Sequence, residues 1–291
     1  MPKISVVVNT FNEEKNLPRA LSSVRDLADE IIVCDMYSDD KTLEIAKKFD
    51  TKIYRHKRTD FVEPARNYAI SKATGDWVLV LDADEELPGP VIKTLQETVK
   101  KDTDYVLIPR KNIIFGKWIK HSRWWPDYNI RFFKKGKVIW SSQIHSVPHA
   151  EGKELKLPAE EKNAIIHYNY NSITQYLERI GRYSGIQAKQ LLDEGYKFSW
   201  RDLIKKPVSE FLSRFFAGEG YKDGIHGLTL SLLQSFSELV IYLKIWEREG
   251  FNEEEMPQVF EEIKKVTSEV DWWIVAKTQN PLKKILQKFK R

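Results

Sequence analysis

The sequence predicts an α/β fold: a mostly parallel, doubly wound central sheet with a helical C-terminal extension. Three observations carry this reading. Four short apolar runs, ISVVV (4–8), EIIVCD (30–35), KIYR (52–55) and WVLVL (77–81), alternate with helix-patterned segments over the first 110 residues. Such unbroken runs suit strands buried on both faces, as in parallel sheets, and their short links favour right-handed βαβ crossovers. From residue 172 the pattern turns helical, beginning SITQYLERIGRYSG.

Each element has its own local signals. After ISVVV a polar break, NTFNEEKN, precedes a helix from about Leu17, with Pro18 tolerated in its first turn. EIIVCD runs into the turn MYSDDK, where Asp40 can cap the helix TLEIAKKF. Pro64 opens the helix PARNYAISKA, and Gly75 closes that segment before WVLVL. Pro88 and Pro90 frame a helix running to about Lys101. Residues 105–170 read as short strands with aromatic and basic links. The run 225–246 has the length to span a bilayer, but Gln234, Glu238 and Lys244 interrupt it, and intramembrane charge is costly. It is expected to be an amphipathic or core helix. No repeat or low-complexity segment occurs.

At 291 residues, one domain plus an extension is the natural division: an α/β domain over 1–170, split into halves 1–110 and 111–170, then a helical region over 171–291. With 42% hydrophobic and 31% charged residues, a packed core is expected and disorder is not. Tryptophans recur between 118 and 140 and in the last third, which suggests a ligand groove or a membrane-facing surface. The net charge of +5 is uneven, because the end PLKKILQKFKR is basic without acids and interleaves Ile, Leu and Phe. It reads equally as a contact for an anionic membrane or as a solvated tail. No basic stripe or known module points to nucleic acid. A single cysteine, Cys34, excludes an intramolecular disulfide and reads as a buried small hydrophobe, which fits a reducing compartment. The start MPKISVVVNT is not patterned as a secretory signal.

The chemistry is expected where strands end, since ligands of open α/β sheets bind beyond the carboxyl ends of the strands. Those ends read Asn9-Thr10-Phe11-Asn12-Glu13, Asp35 and Asp82-Ala83-Asp84. Two acids two positions apart beyond a buried strand repel unless a cation joins them, and Mg²⁺ or Mn²⁺ favours oxygen ligands shared with phosphates. Asp82 and Asp84 therefore point to a divalent ion holding a diphosphate. Glu85 and Glu86 either tune that field or start the next helix. Asp35 suits a ligand or a turn acid, Glu13 a base or ribose or else a helix-start acid, and Arg66 a phosphate or base or else a plain surface position. A dinucleotide-binding fold would need glycines after the first strand, and VVVNTFNEE has none; no P-loop sequence occurs either.

ISVVVNTFNEEKNLPRALSSV, ADEIIVCDMYSDDKTLEIAKKF, ARNYAISKATGDWVLVLDADEEL and RWWPDYNIRFFKKG together resemble family 2 glycosyltransferases of the GT-A fold, a Rossmann-like architecture. The resemblance spans residues 4 to about 246 and is nearest to the lipopolysaccharide-core β-1,4-glucosyltransferase branch. It implies an inverting, metal-dependent transfer of a sugar, expected to be a hexose, from a nucleotide-sugar such as a UDP-sugar to a hydroxyl of a lipid-linked or cell-envelope glycan. It implies a cytoplasmic enzyme, peripheral on the inner face of the membrane. Thr10, Asn12 and Glu13 would line the nucleoside pocket, Asp35 would bind the base and Arg66 the nucleotide. Asp82 would touch ribose or metal, and Asp84 would ligate the metal. Asp127 takes the position usually assigned as the base, and Arg131 would hold phosphate or acceptor. His145 falls where relatives have His-Glu, but Ser146 follows it here, and His167 competes as the metal-ligating histidine. Trp124 and Trp125 either stack on a sugar or cover the groove. Rival readings are a sugar-1-phosphate nucleotidyltransferase, which would need a glycine-rich loop, and a non-catalytic membrane-associated glycan- or nucleotide-binding protein.

Overall fold

The computed structural model describes residues 2–58, 62–140 and 148–278. The chain forms two compact units: Met1–Ile113 with Trp125–Asn169, and Ile114–Trp124 with Tyr170–Arg291.

The first unit is built on a mixed sheet. Strands β1 (Ile4–Thr10), β2 (Glu30–Asp35), β3 (Lys52–Arg55) and β4 (Trp77–Asp82) form its parallel half in the order β3-β2-β1-β4. Their connections carry helices α1 (Leu17–Val24), α2 (Thr42–Lys48) and α3 (Glu63–Ser71), and α4 (Gly89–Thr98) follows later. Every residue of β1 is buried, which is why its sequence shows no polar alternation. The period of two still sorts its side chains. Val6 and Val8 pack with Leu21, Leu79 and Phe132 on one face, whereas Val7 packs with Ile32, Cys34, Val80 and Phe133 on the other. Cys34 is fully buried, and burial pushes its thiol up to about 11, in keeping with a structural role. Asp40 accepts the Thr42 N–H at 2.9 Å as α2 begins.

The remaining strands are β5 (Glu85–Glu86), β6 (Tyr105–Ile114), β7 (Lys117–Trp118), β8 (Asp127–Lys134), β9 (Val138–Ile139), β10 (His149–Ala150), β11 (Glu154–Lys156) and β12 (Ile165–Tyr170). Past β4 the main sheet continues β8-β6-β12-β5, and β4–β8, β8–β6 and β12–β5 are antiparallel pairs. Leu79 faces Phe132 across the β4–β8 junction, and Trp77 stacks on Phe132 at 4.7 Å. Glu85 and Glu86 do not start a helix: they form β5, and α4 begins after Pro88.

The second unit holds α5 (Ile173–Asp193), α6 (Asp202–Leu212), α7 (Ile225–Arg248) and α8 (Val259–Lys277). Ser172 caps α5, its hydroxyl accepting the Gln175 N–H at 3.1 Å. α7 packs between α5 and α6, burying Leu230, Ile241, Tyr242 and Ile245. Its Gly227 lies where a Cβ would stand 1.8 Å from the Gly220 carbonyl oxygen, so no larger residue fits. Residues 114–124, expected within the 111–170 half, cluster instead with the helices. Ile114 and Ile119 pack on Tyr176, Ile180 and Leu230, and the buried Asp223 carboxylate accepts the His121 N–H at 2.8 Å. Among the described residues α7 is the helix long and apolar enough, at mean hydropathy 1.3, to cross a membrane by length and composition. Its exposed Ile225, Leu232, Phe236 and Leu243 are spaced 7, 11 and 18 residues from the first, which sets them in one stripe.

Candidate active site

The parallel strands deliver their last residues to one edge. In β1 and β2, Thr10 is paired in register with Asp35, and Asn9 with Asp82 of β4. Asp35 is wholly buried, and its carboxylate accepts the Ser38 N–H at 3.1 Å and the Thr10 hydroxyl at 3.4 Å. It closes the turn after β2. Asn12, exposed with φ 56°, links that turn to β1 by accepting the Asp39 N–H at 3.0 Å and donating its own N–H to Ser38 Oγ at 2.9 Å. The Glu13 carboxylate accepts from Asn16 Nδ2 at 2.8 Å at the head of α1.

At the end of β4 a chain of ion pairs begins. Arg66 on α3 donates to Asp82 Oδ1 at 2.5 Å, and Arg131 on β8 donates to Asp82 Oδ2 at 2.5 Å and to Glu85 Oε1 at 2.7 Å. Arg110 on β6 reaches Glu85 Oε1 at 3.3 Å and Asp127 Oδ2 at 2.7 Å. Arg66 and Arg131 are buried, and Glu85 is fully so. Three carboxylates thus meet three guanidinium groups, which is how the interior tolerates the charge. Burial alone would raise the Asp82 carboxyl, but Arg131 and Arg66 outweigh it and hold it far below the usual carboxylate range. Burial likewise opposes ionisation of Asp127, yet Arg110 and the Asn112 amide hold that carboxyl below its ordinary value. Both acids are therefore ionised at neutral pH.

A second line of contacts runs beside the first. Asn112 on β6, fully buried, donates from Nδ2 to Asp127 Oδ2 at 3.1 Å. Its Oδ1 lies 2.6 Å from His167 Nδ1, and His167 Nε2 lies 3.5 Å from Asp84 Oδ2. Asp84, Glu85, Arg110, Asn112, Asp127, Arg131 and His167 thus share one neighbourhood of the first unit.

Several sequence expectations change here. Both oxygens of Asp82 are taken by arginines, so Asp84 with His167, rather than Asp82 with Asp84, forms the acid–imidazole pair suited to a cation. Among the described residues no group of three or more acids, histidines or cysteines stands together as a metal cage; Mg²⁺ or Mn²⁺, which retains waters and takes phosphate oxygens, would fit the two-residue site. His145 lies outside the described residues. Asp35, expected on the base, is wholly buried and accepts from Ser38 and Thr10. Arg131, expected on phosphate or acceptor, is committed to Asp82 and Glu85. Trp124 packs in the second unit beside Ile114, Ile119 and Tyr176, whereas Trp125 belongs to the first. Sequence reasoning missed Arg110 and Asn112. Their spacing of two on a strand places them on one face, but their partner strand was not readable from the pattern.

Comparison with known proteins identifies the class as a glycosyltransferase. The chain belongs to glycosyl transferase family 2, whose family model matches residues 5–150, and its sheet is that of the GT-A fold. An uncharacterized glycosyltransferase of Rickettsia typhi is 30% identical over 261 residues, covering 85% of this chain and 88% of its own. The prophage-derived glycosyltransferase SunS of Bacillus subtilis is 26% identical over 275 residues, 85% of this chain and 63% of SunS. Among solved structures, residues 1–349 of TarS from S. aureus, crystallised also in complex with UDP, align with TM-scores of 0.46. The structure without UDP is 16% identical and the alignment covers 85% of this chain and 92% of that one.

The ion chain predicts an asymmetry between neighbouring glutamates. Glu85→Gln strips the buried counter-charge from Arg131 and Arg110 and should cost about 3–5 kcal/mol in urea unfolding. Glu86→Gln, which alters a half-buried contact to Tyr168, should cost less than about 1 kcal/mol. Equal losses would remove the hub role from Glu85.

Proposed function

We propose that the protein moves a hexose with inversion from a nucleoside-diphosphate donor, a UDP-sugar, to a hydroxyl of a lipid-linked or cell-envelope glycan. The reading follows the lipopolysaccharide-core β-1,4-glucosyltransferase branch that its motifs resemble. The observation that carries it is the Asp82–Ala83–Asp84 turn at the end of β4, joined through Arg131, Glu85 and Arg110 to the ionised Asp127. Thr10, Asn12 and Glu13 rim the nucleoside side, with Asp35 beneath them.

Asp127 is the base. As the acceptor oxygen bonds to the anomeric carbon, its proton passes to the Asp127 carboxylate, and the carbon–oxygen bond to the diphosphate breaks with its electron pair on the leaving group. One base suffices because the attack is in line and leaves no covalent intermediate. Arg110 and Asn112 fix the carboxylate's direction. Asp84 and His167 would hold Mg²⁺ or Mn²⁺, which when bound offsets charge growing on the diphosphate.

The enzyme works at the cytoplasmic face of the membrane. The exposed stripe of Ile225, Leu232, Phe236 and Leu243 on α7 supports this, since an amphipathic face of that kind suits the interfacial region, and the basic end of the chain adds attraction to anionic lipid.

Three measurements test these assignments. Asp84→Asn should lower Mn²⁺-dependent transfer by about 100-fold or more, as loss of a charge-stabilising group does, with the unfolding midpoint unchanged; near-normal turnover would remove Asp84 from the cation site. Asp127→Asn should cut kcat by about 10²–10⁴-fold with little change in donor KM; an unaltered kcat moves the base elsewhere. The double change Leu232→Glu and Phe236→Glu should weaken co-sedimentation with phosphatidylglycerol vesicles by about tenfold or more, while transfer to a soluble acceptor persists. Undiminished sedimentation would rule out α7 as the docking face.

A further inference from the structure

We propose that Asn112 is a positioning residue whose single amide sets the imidazole of His167 for cation binding beside Asp84 and at the same time holds Asp127. The inference rests on the reading of Asp84 with His167 as the cation site.

The argument is one of hydrogen-bond direction. Asp127 Oδ2 takes two Arg110 nitrogens, at 2.7 and 2.8 Å, and a guanidinium only donates, so that oxygen is an acceptor. The Asn112 atom 3.1 Å from that same oxygen must then be the amide nitrogen. The other atom of the amide, facing His167 Nδ1 at 2.6 Å, is the carbonyl oxygen, which cannot donate. The hydrogen of that contact therefore sits on Nδ1. A neutral imidazole protonated there carries its lone pair on Nε2, the atom 3.5 Å from Asp84 Oδ2. Two acceptors facing each other at that separation repel unless a proton or a metal cation lies between them, and with the neutral ring Nε2 is free to ligate a metal. Ligating histidines are oriented in this way by the bond their other nitrogen makes.

The surroundings keep the amide from turning over. Asn112 and His167 are both buried, at 0% and 7% exposure. β12 is pinned by its pairing with β5, where His167 lies opposite Glu85, and β6 by its pairing with β8, where Arg110 lies opposite Asp127. Rotating the Asn112 amide would set its oxygen against the Asp127 carboxylate. The base thus dictates the amide, the amide dictates the imidazole, and the imidazole dictates what can sit beside Asp84.

The test uses the full chain, with Mn²⁺ alone as the probe. In the metal-free protein above neutral pH, ¹⁵N-histidine spectra should show His167, assigned by loss of its signals in His167→Gln, as the Nδ1–H tautomer; an Nε2–H tautomer overturns the proposal. Asn112→Leu, which removes both bonds, should weaken Mn²⁺ binding by about 10–100-fold. Asn112→Asp can still accept the Nδ1–H but cannot donate to Asp127, so it should keep Mn²⁺ affinity within the parent's order of magnitude while kcat falls. Unchanged Mn²⁺ affinity in a folded Asn112→Leu, or loss of Mn²⁺ affinity in a folded Asn112→Asp, overturns the proposal. Should Asn112→Leu fail to fold by thermal unfolding, the tautomer and Asn112→Asp decide. A parent that binds no Mn²⁺ overturns the cation-site reading instead, and the tautomer then judges Asn112 separately.

Discussion

Glu85 is a carboxylate with no exposure to solvent, and the rest of the site is arranged around its charge. It accepts the Asp82 N–H at 2.9 Å, Arg131 at 2.7 Å and Arg110 at 3.3 Å. An ion so placed is tolerable only when its partners are fixed and its lone pairs are filled. Those partners are the same arginines that meet Asp82 on one side and Asp127 on the other. The constraint that satisfies Glu85 therefore also sets the separation and direction of the two acids on either side of it.

The sheet supplies the fixity. Its parallel half buries β1 and β4 on both faces and brings Thr10, Asp35 and Asp82 to one edge. Its antiparallel half works differently. Residues directly opposite in antiparallel strands lie close enough for their side chains to interact, and Arg110–Asp127 and Glu85–His167 are such pairs. The parallel strands thus bring Thr10, Asp35 and Asp82 to one edge, and the antiparallel strands fix the polar partners.

Much of the parallel half was legible in the sequence, because four apolar runs with turn residues between them admit few other arrangements. β1, β2, β3 and β4 lie where those runs predicted, and the acids stand at their ends. The antiparallel half was not legible in the same way. Pairing between β6 and β8 joins residues whose relation depends on register, including an irregularity between Val106 and Leu107, and no local pattern announces it. For that reason Arg110 and Asn112 went unnoticed, while Asp127, marked by its motif, did not. β5 was unreadable for another reason: two glutamates have no strand signature, and only pairing with β12 makes them one. The place of residues 114–124 depends on Ile114 and Ile119 finding Tyr176 and Leu230, contacts far apart along the chain.

The two-residue strand β5 has a bearing on how such an enzyme can diversify. Asp82, Asp84, Glu85 and Glu86 lie within five consecutive positions that are at once candidate site and scaffold, since the Asp84 carbonyl accepts the Tyr168 N–H at 2.9 Å and Glu85 pairs with His167. A substitution there meets selection for folding before it meets selection for substrate. Lineages descending from such a chain would keep this stretch nearly constant and explore new sugars and acceptors through segments that carry no sheet hydrogen bonds. Innovation in substrate choice is thereby confined to the parts of the molecule that can change without unfolding it.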